Sequence, residues 1–456
     1  MGREESRVLV VVCLGTFFHI QSIGSINVSL SAIQKDFGVS LAAVQWIGLM
    51  GAIALSSLSL CFGRAGDLSG RKKIFRIGLT LYTAGAGFAA FSGSFTELLL
   101  SRCVMALGLA MAAPLAGAII ASAYPHQSRG RALGLLAASI ALGRTTGPTI
   151  GGLILQLWGW RTVFLANFVF GIPTCLTLYW ILGGVEERRQ GPFDFLGALA
   201  LVVGLPSVLV GLSLGADSGW KSPQIVFWFG VAAVGLGSFV WRELQAGAPL
   251  VNLAYLRNLS LAKALLSLVL ATLVFYPVSI FGPLYMRNVI RAAPLSVGLA
   301  MAALPLCATL LSPLSGRLAD RFNARWVAMV GLCFIFFGLF FYGRLGVSSA
   351  MAWSVLVLSL LGAGIGLFIP ANEKMAFASV PSRDYGMLSA LLTSLGTGSG
   401  ALGTAIAVAL AEAMRQEAVV EEAAGFAQGQ QFAFSSLLPV AALAVLVTLA
   451  GRSKRR

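Results

Sequence analysis

The stretch GRTTGPTIGG, residues 143–152, decides how the rest of the chain is interpreted. It lies in an apolar run from about Ala132 to Leu157, which is long enough to cross a bilayer. Gly143, Gly147 and Gly151 are spaced by four residues, so they share one helix face on which a second helix can approach backbone to backbone. The stretch therefore predicts a tightly packed membrane helix.

The same stretch also carries a helix breaker and a charge. Pro148 lacks an N–H, so the helix can bend there, and Gly152 extends the run of small residues. Arg144 is a permanent cation at about mid-membrane depth, where we expect it to face a partner or a water-filled cavity. A bent helix beside a polar pathway would serve a moving part, although simple tight packing explains the glycines equally well.

The composition indicates a polytopic membrane protein. The chain is 57% hydrophobic and only 11% charged, with a net charge of +15. We expect no nucleic-acid partner, because the cations lie in short segments on one side of the predicted membrane. The six cysteines fall in apolar runs without metal-ligand spacing, so no metal, cofactor or disulfide framework is expected.

Fourteen apolar runs of membrane-spanning length predict an all-α fold. The first run is expected to be retained, not removed as a signal peptide. No GxxxxGK[ST] motif occurs, so ATP is not expected to drive the protein. The predicted spans are 8–33, 42–62, 74–92, 98–123, 132–157, 162–183, 195–214, 224–241, 259–285, 297–315, 326–344, 350–371, 386–411 and 431–450.

Lysine and arginine predict the orientation. Most of the 32 lysines and arginines lie in the alternate segments that share the side of the N-terminus. The positive-inside rule then places both termini in the cytoplasm, with the chain in the cell (inner) membrane.

An internal repeat divides the chain. The segments GRAGDLSGRKK at 63–73 and GRLADRF at 316–322, predicted as loops after spans 2 and 10, begin 253 positions apart. Gly108 and Pro114 of span 4 likewise return as Gly364 and Pro370 of span 12. The sequence thus predicts two six-helix halves and two inserted helices, with a central cavity between the halves. The predicted domains are 1–190, 191–258 for the inserted helices and linker, and 259–456.

Taken together, these motifs resemble the major facilitator superfamily, specifically its fourteen-span drug/proton antiporter family. Gly63, Asp67, Gly70 and Arg71 resemble its cytoplasmic motif, and the stretch at 143–152 resembles its antiporter motif. In span 4, Arg102 with Gly108 resembles a third motif. The resemblance implies the major facilitator fold and drug-efflux-like export, and it implies that Arg102 takes part in coupling.

One departure leaves proton coupling open. The resemblance implies an acidic residue in span 1 five positions before Asn27, but Ser22 occupies that position. His19 shares a helix face with Ser22 and titrates near neutrality, so it is the candidate proton carrier. Alternatively, His19 is a neutral histidine bonded to a neighbouring helix. Gln21 and Asn27 are candidates for the cavity, although such residues more often form interhelical hydrogen bonds.

The remaining charged candidates divide between a cavity and a gate. Arg102 either serves coupling or is an interface arginine paired with Glu97. With no acid at the midplane, Arg102 and Arg144 would make the cavity positive and favour an anionic substrate. For the cytoplasmic gate we single out Asp67, whose carboxylate can cap a helix or pair with an arginine.

Asp320 is the repeat counterpart of Asp67. Glu373 lies near the inner end of span 12 and, with the adjacent Lys374, is a further gating candidate, unless the two sit among lipid headgroups.

The sequence therefore predicts a secondary transporter, expected as a monomer. It would export small amphipathic compounds by alternating access, with protons as the candidate coupling ion. One alternative is a facilitator or exchanger of anionic or lipid-like substrates without proton coupling. A second is a non-transporting membrane sensor. An enzyme is the least favoured reading, because the spans carry no nucleophile–base set.

Overall fold

A computed structural model describes residues 3–124, 126–182, 194–219, 222–245, 255, 257–381, 385–417 and 422–449. These residues form fifteen helices and no strand. The helices are α1 Arg3–Phe37, α2 Leu41–Ser69, α3 Arg71–Ala90, α4 Phe95–Ala123, α5 His126–Trp158, α6 Trp160–Ile181, α7 Phe195–Ser218, α8 Pro223–Gln245, α9 Leu259–Phe275, α10 Val278–Asn288, α11 Pro294–Arg321, α12 Ala324–Tyr342, α13 Met351–Phe377, α14 Tyr385–Glu417 and α15 Glu422–Leu449. The boundary predicted at residue 190 and the basic tail at 452–456 lie outside the described residues.

Twelve helical segments in the described part of the chain are long and apolar enough to cross a membrane. α9 and α10 count together as one of them, Leu259–Asn288. This segment matches the span predicted at 259–285, although its helix is interrupted: α9 ends at Phe275 and α10 begins after Pro277. α3 and α5 are not among the twelve; the basic first turn of α3, and the glycines, threonines and Arg144 of α5, lower their hydropathy.

Polar side chains fix where several helices begin. The Ser40 hydroxyl accepts the Ala43 N–H at 3.1 Å, and the Ser94 hydroxyl accepts the Glu97 N–H at 3.2 Å. Asn258 and Asn323 play the same part at α9 and α12. These caps satisfy N–H groups that have no partner within the helix.

The cytoplasmic motif is largely helical, which corrects the predicted loops. Residues 63–69 continue α2, and residues 316–321 continue α11. Only Gly70, with φ of 108°, makes the turn between α2 and α3. That positive φ is accessible to glycine and strained for other residues, so Gly70 is the glycine that the turn requires.

The helices gather into two compact units. The first contains Met1–Val202 with Ala293–Ala302, and the second contains Val203–Ala292 with Ala303–Arg456. Within the first, α1 packs on α5 and α6, while α3 packs on α4 and α6. Within the second, α9 packs on α14 and α15, while α12 packs on α13 and α15. The division at 190 and 258 stays a prediction.

The same helix crossing recurs in each unit. In α3, a Cβ at Gly78 would lie 2.7 Å from the Gly108 carbonyl oxygen of α4. In α12, a Cβ at Gly331 would lie 2.8 Å from the Gly364 carbonyl oxygen of α13. Both crossings need glycine at both positions, since any side chain there would overlap backbone. The pairs stand at the repeat offsets of the sequence, so these two crossings are internal counterparts.

Candidate functional site

Four polar side chains meet inside the first unit. His19 and Ser22 come from α1, Tyr82 from α3 and Arg102 from α4; we refer to them as the buried cluster. The four residues are 4%, 0%, 6% and 6% exposed, respectively. The sequence predicted three of them separately, and the structure brings them together around Tyr82.

Tyr82 connects the members of the cluster. Its ring stacks on His19 with 4.6 Å between centroids and 17° between planes. Its hydroxyl donates to the Ser22 Oγ at 2.5 Å and also interacts with the Arg102 side chain. The Gly78–Gly108 crossing allows this meeting, because it brings the backbone of α3 at Tyr82 against α4.

Arg102 is held by a backbone carbonyl. Its Nε and Nη2 donate to the Ile47 oxygen of α2 at 3.0 and 2.8 Å. The alternative pairing with Glu97 was wrong, because the Glu97 carboxylate instead accepts the Gly93 N–H at 2.8 Å. No carboxylate among the described residues pairs with Arg102, so the cluster carries an uncompensated positive charge.

The second unit fills the same positions with apolar residues. Gly147 packs on the Gln21 carbonyl and Gly403 on the Leu273 carbonyl, which sets α1 and α9 in register at an offset of 252 positions. With the crossing glycines giving the register of α3 and α4, the counterparts of the buried cluster are Ala271, Val274, Ile335 and Leu358, all buried. Since aliphatic residues pack this crossing in the second unit, packing does not require the polar cluster of the first.

The glycines of α5 bring its backbone into close contact with α1; we call this contact the seam between α1 and α5. A Cβ at Gly147 would lie 2.5 Å from the Gln21 carbonyl oxygen, and one at Gly143 would lie 2.9 Å from the Phe17 carbonyl oxygen. Gly151 makes an equally close approach to Ser25. The tight packing predicted for the glycine face is thus present in the structure.

Side chains of α1 also bond across this seam. The Gln21 amide donates to the Ser25 Oγ at 2.9 Å, and Ser25 donates to the Gly147 carbonyl at 2.8 Å. The amide of Gln21 thus bonds within α1, and Ser25 makes the bond to α5. Asn27 is half-buried and makes no hydrogen bond within the described residues.

Arg144 is exposed, and the part of the chain that the structure describes offers it no hydrogen bond or ion pair. On its face of α5, Pro148 and Gly152 are covered by the first turns of α11 at Gly298 and Pro294. Among the described residues Arg144 therefore has no partner of the kind expected, and the alternative that it faces a water-filled cavity stays a prediction. In the second unit its counterpart is Gly400, which lies under the ring of Tyr276.

The gating candidates form charge pairs within their own units. Asp67 accepts from Arg71 at 2.7 Å, and Arg71 reaches the Ala118 carbonyl of α4 at 3.5 Å. In the second unit, Lys374 of α13 donates to Asp320 and to the Ala319 carbonyl of α11. Both contacts tie corresponding helices together near the predicted cytoplasmic end.

Glu373 is exposed beside Lys374. Of this pair, Lys374 is the residue that the structure places on Asp320. Lys374 stands 256 positions after Ala118, so the two residues occupy the same place in the repeat. In the first unit the cation is Arg71 and Ala118 supplies the carbonyl, whereas in the second unit Lys374 is itself the cation.

Comparison with known proteins gives the family. The family model described as Major Facilitator Superfamily matches residues 12–404 and also 264–455. The chain belongs to the Major Facilitator Superfamily. It is thus a multi-pass membrane protein of a transporter family, and the members of this superfamily most similar to it include antibiotic-resistance proteins.

Two relatives illustrate this. Multidrug resistance protein Stp of Mycobacterium tuberculosis (strain H37Rv) is 29% identical over 411 residues, which are 89% of this chain and 76% of that protein. Lincomycin resistance protein LmrB of Listeria monocytogenes is 28% identical over 435 residues, which are 95% of this chain and 92% of that protein. The fold also matches a crystal structure of an auto-inhibited POT family peptide transporter, with a TM-score of 0.76 at 17% identity. That match covers 100% of this chain and 99% of the other.

Sequence reasoning missed Tyr82 and Ser25. The repeat supplies a signal for Tyr82: it is the polar counterpart of Ile335 and lies one turn after the packed Gly78. Ser25 had no such signal, because serines on membrane helices commonly bond to their own backbone.

Proposed function

We propose that the protein is a fourteen-span drug exporter of this superfamily in which proton binding at His19 drives the outward movement of a small amphipathic compound. The resistance functions in the names of Stp and LmrB support the substrate class. The packing of α3 on α4 and of α5 on α1 supports counting both helices as spans. Both termini would lie in the cytoplasm.

The observation that carries this proposal is the buried cluster. Ser22 stands at the position of the absent span-1 acid, and His19, three residues earlier, supplies a histidine, a side chain whose unperturbed pKa lies near neutrality. It occupies positions that are apolar in the second unit, which indicates a role beyond packing.

The cluster also offers a link between protonation and conformation. A proton on His19 would place a second positive charge near Arg102, and like charges repel strongly where water is excluded. The doubly charged cluster therefore favours a conformation that admits water, and release of the proton favours the closed one. Such a bias on a two-state fold is what alternating access requires.

The test is transport in proteoliposomes with an imposed pH gradient and a panel of resistance-type drugs. His19→Gln should abolish gradient-driven accumulation while exchange of substrate for substrate continues. His126→Gln removes the only other histidine and is the matched control. Full gradient-driven accumulation by His19→Gln rejects the proposal.

One observation favours a second candidate, a facilitator of anionic compounds without proton coupling. Arg144 is an exposed cation in mid-helix, beside a proline and a face of glycines. It would attract an anionic group of the substrate.

Arg144→Gln should slow transport of an anionic compound and leave its uncharged ester unaffected. Equal rates for the anionic compound before and after the substitution reject this candidate. Insensitivity of the unaltered protein to a protonophore favours the facilitator over the exporter, and absence of any flux across the panel favours the sensor.

A further inference from the structure

A small cavity adjoins the buried cluster between α1, α3 and α6. Its volume is about 20 Å³. Besides apolar groups it is lined by His19, Tyr82, Thr83, Asn167, Thr174 and Cys175. Most of its surface is apolar, and these six side chains bring hydrogen-bonding groups to it.

One of the lining residues, His19, carries a polar atom that lacks a partner. The Nε2 of His19 is buried and makes no hydrogen bond to any described residue. A buried polar atom without a partner costs about 1–3 kcal/mol, so such an atom on a residue that lines a cavity points to a ligand.

The size of the cavity selects the ligand. A water molecule needs a cavity volume of about 10–15 Å³ and two to four polar partners. The cavity therefore accepts one water and excludes a drug.

The other polar walls can complete the water's hydrogen bonds. Asn167 donates its amide to the Val163 carbonyl at 2.8 Å, so its Oδ1 can accept. The Thr83 hydroxyl lies 3.5 Å from the Cys175 sulfur, and Thr174 donates to the Phe170 carbonyl at 2.9 Å. Each hydroxyl oxygen keeps lone pairs that can accept from the water.

We propose that this cavity binds one water molecule that is the hydrogen-bond partner of His19 Nε2 in both of its protonation states. When Nε2 is unprotonated, the water donates a hydrogen bond to it. When Nε2 carries a proton, the water oxygen accepts a hydrogen bond from it. A carbonyl or an ammonium group fills only one of these roles. Proton uptake is balanced when the water passes one proton to Nε2 and receives another on its oxygen.

The water matters because of what surrounds His19. The titratable and charged groups from the packed elements are Tyr82 of α3, Arg102 of α4 and Cys175 of α6, and none is an anion in its ordinary state near neutral pH. The water is then the group that lets His19 change charge without a broken hydrogen bond. This consequence rests on the proposed function, whereas the water site itself does not.

The chain's histidine content makes a direct test simple. In a His126→Gln background His19 is the only histidine, so histidine labelled with ¹⁵N reports on one ring. Solid-state NMR in proteoliposomes would measure magnetisation transfer from water protons to the His19 ring nitrogens. We expect clear transfer in this background and a several-fold loss in Thr83→Val/Asn167→Leu, which replaces polar walls by apolar groups of similar size.

Thr177→Val is the matched control, because Thr177 lies on α6, as Asn167 does, and donates its hydrogen bond to the Pro173 carbonyl. Absence of transfer in the background protein overturns the proposal, as does undiminished transfer in the double variant. If that variant does not fold, Thr83→Val alone serves, with a smaller loss expected. Clear transfer together with full gradient-driven accumulation by His19→Gln keeps the water site and rejects the proposed coupling.

Discussion

Among single residues, Arg102 shows best how a charge is tolerated inside this fold. Isolated charges are strongly disfavoured in a low-dielectric interior. Here two N–H groups of the guanidinium reach one oxygen, that of Ile47, at 3.0 and 2.8 Å. The remaining positive field acts on Tyr82 and His19, so the charge is positioned and not neutralised.

Tyr82→Phe tests whether the hydroxyl transmits this field. The variant keeps the ring that stacks on His19 and removes the donor to Ser22. We expect a loss of about 1 kcal/mol in stability, the usual contribution of a hydrogen bond, together with a several-fold slower gradient-driven uptake. Uptake and the unfolding midpoint are the two measurements.

Tyr285→Phe is the control for that variant. The Tyr285 hydroxyl donates to the Gly346 carbonyl at 2.7 Å in the second unit. A similar drop in stability with unchanged uptake is expected there. If both variants slow uptake equally, the effect of Tyr82→Phe reflects stability alone.

At the scale of helices, the seam between α1 and α5 is set by backbone contact. Gly147→Ala would place a methyl group 2.5 Å from the Gln21 oxygen and force the helices apart. Overpacking of this kind costs about 1–3 kcal/mol, and we expect a lower unfolding midpoint and impaired transport. In Gly134→Ala on the same helix, the new methyl group meets nothing within 4 Å, so the unfolding midpoint should not change. A lower midpoint for Gly134→Ala would contradict the view that backbone contact sets the seam.

The charge pair at the end of α2 gives a different expectation. Asp67 and Arg71 are about a quarter exposed, at 23% and 24%, and exposed pairs contribute about 0–1 kcal/mol. Asp67→Asn should therefore leave the unfolding midpoint nearly unchanged. A several-fold lower transport rate would then reflect gating.

Asp36→Asn is the comparison for Asp67→Asn. Asp36 pairs with Arg161 at 2.8 Å near the opposite end of the first unit's helices. Equal effects of the two substitutions on transport would contradict a specific gating role for Asp67.

For the whole molecule, fourteen spans with cytoplasmic termini make a simple topological prediction. A protease-cleavable tag at either end should be cut in inverted vesicles and protected in right-side-out ones. Tags that are accessible on opposite sides would imply an odd number of spans. A reporter inserted at Gly93, between α3 and α4, should face the outside if α3 crosses the membrane.

The fold was predictable because long apolar runs and basic loops constrain a membrane chain strongly. The repeat was visible in Gly108 and Gly364, which the structure places at corresponding crossings. The break at Pro277 was missed because apolar residues continue on both sides of it. The site was only partly predictable: His19, Ser22 and Arg102 stood out as polar residues in apolar spans, whereas Tyr82 is an ordinary residue for a membrane helix.

The carbonyl contact of Arg102 also bears on how the chain is made. An arginine at the centre of a helix disfavours its insertion by the translocon by about 2.5–3.5 kcal/mol, which is an upper bound for Arg102 because it lies nearer the start of α4. Each of the leucines, isoleucines and valines of α4 offsets this by about 0.3–0.6 kcal/mol, and the most apolar 18-residue window of α4 has a mean hydropathy of 2.2. α4 is therefore apolar enough to insert with its charge and meets the Ile47 carbonyl afterwards. Arg102→Leu should be synthesised and inserted at least as well as the natural sequence, so it would be a well-expressed but uncoupled reference protein.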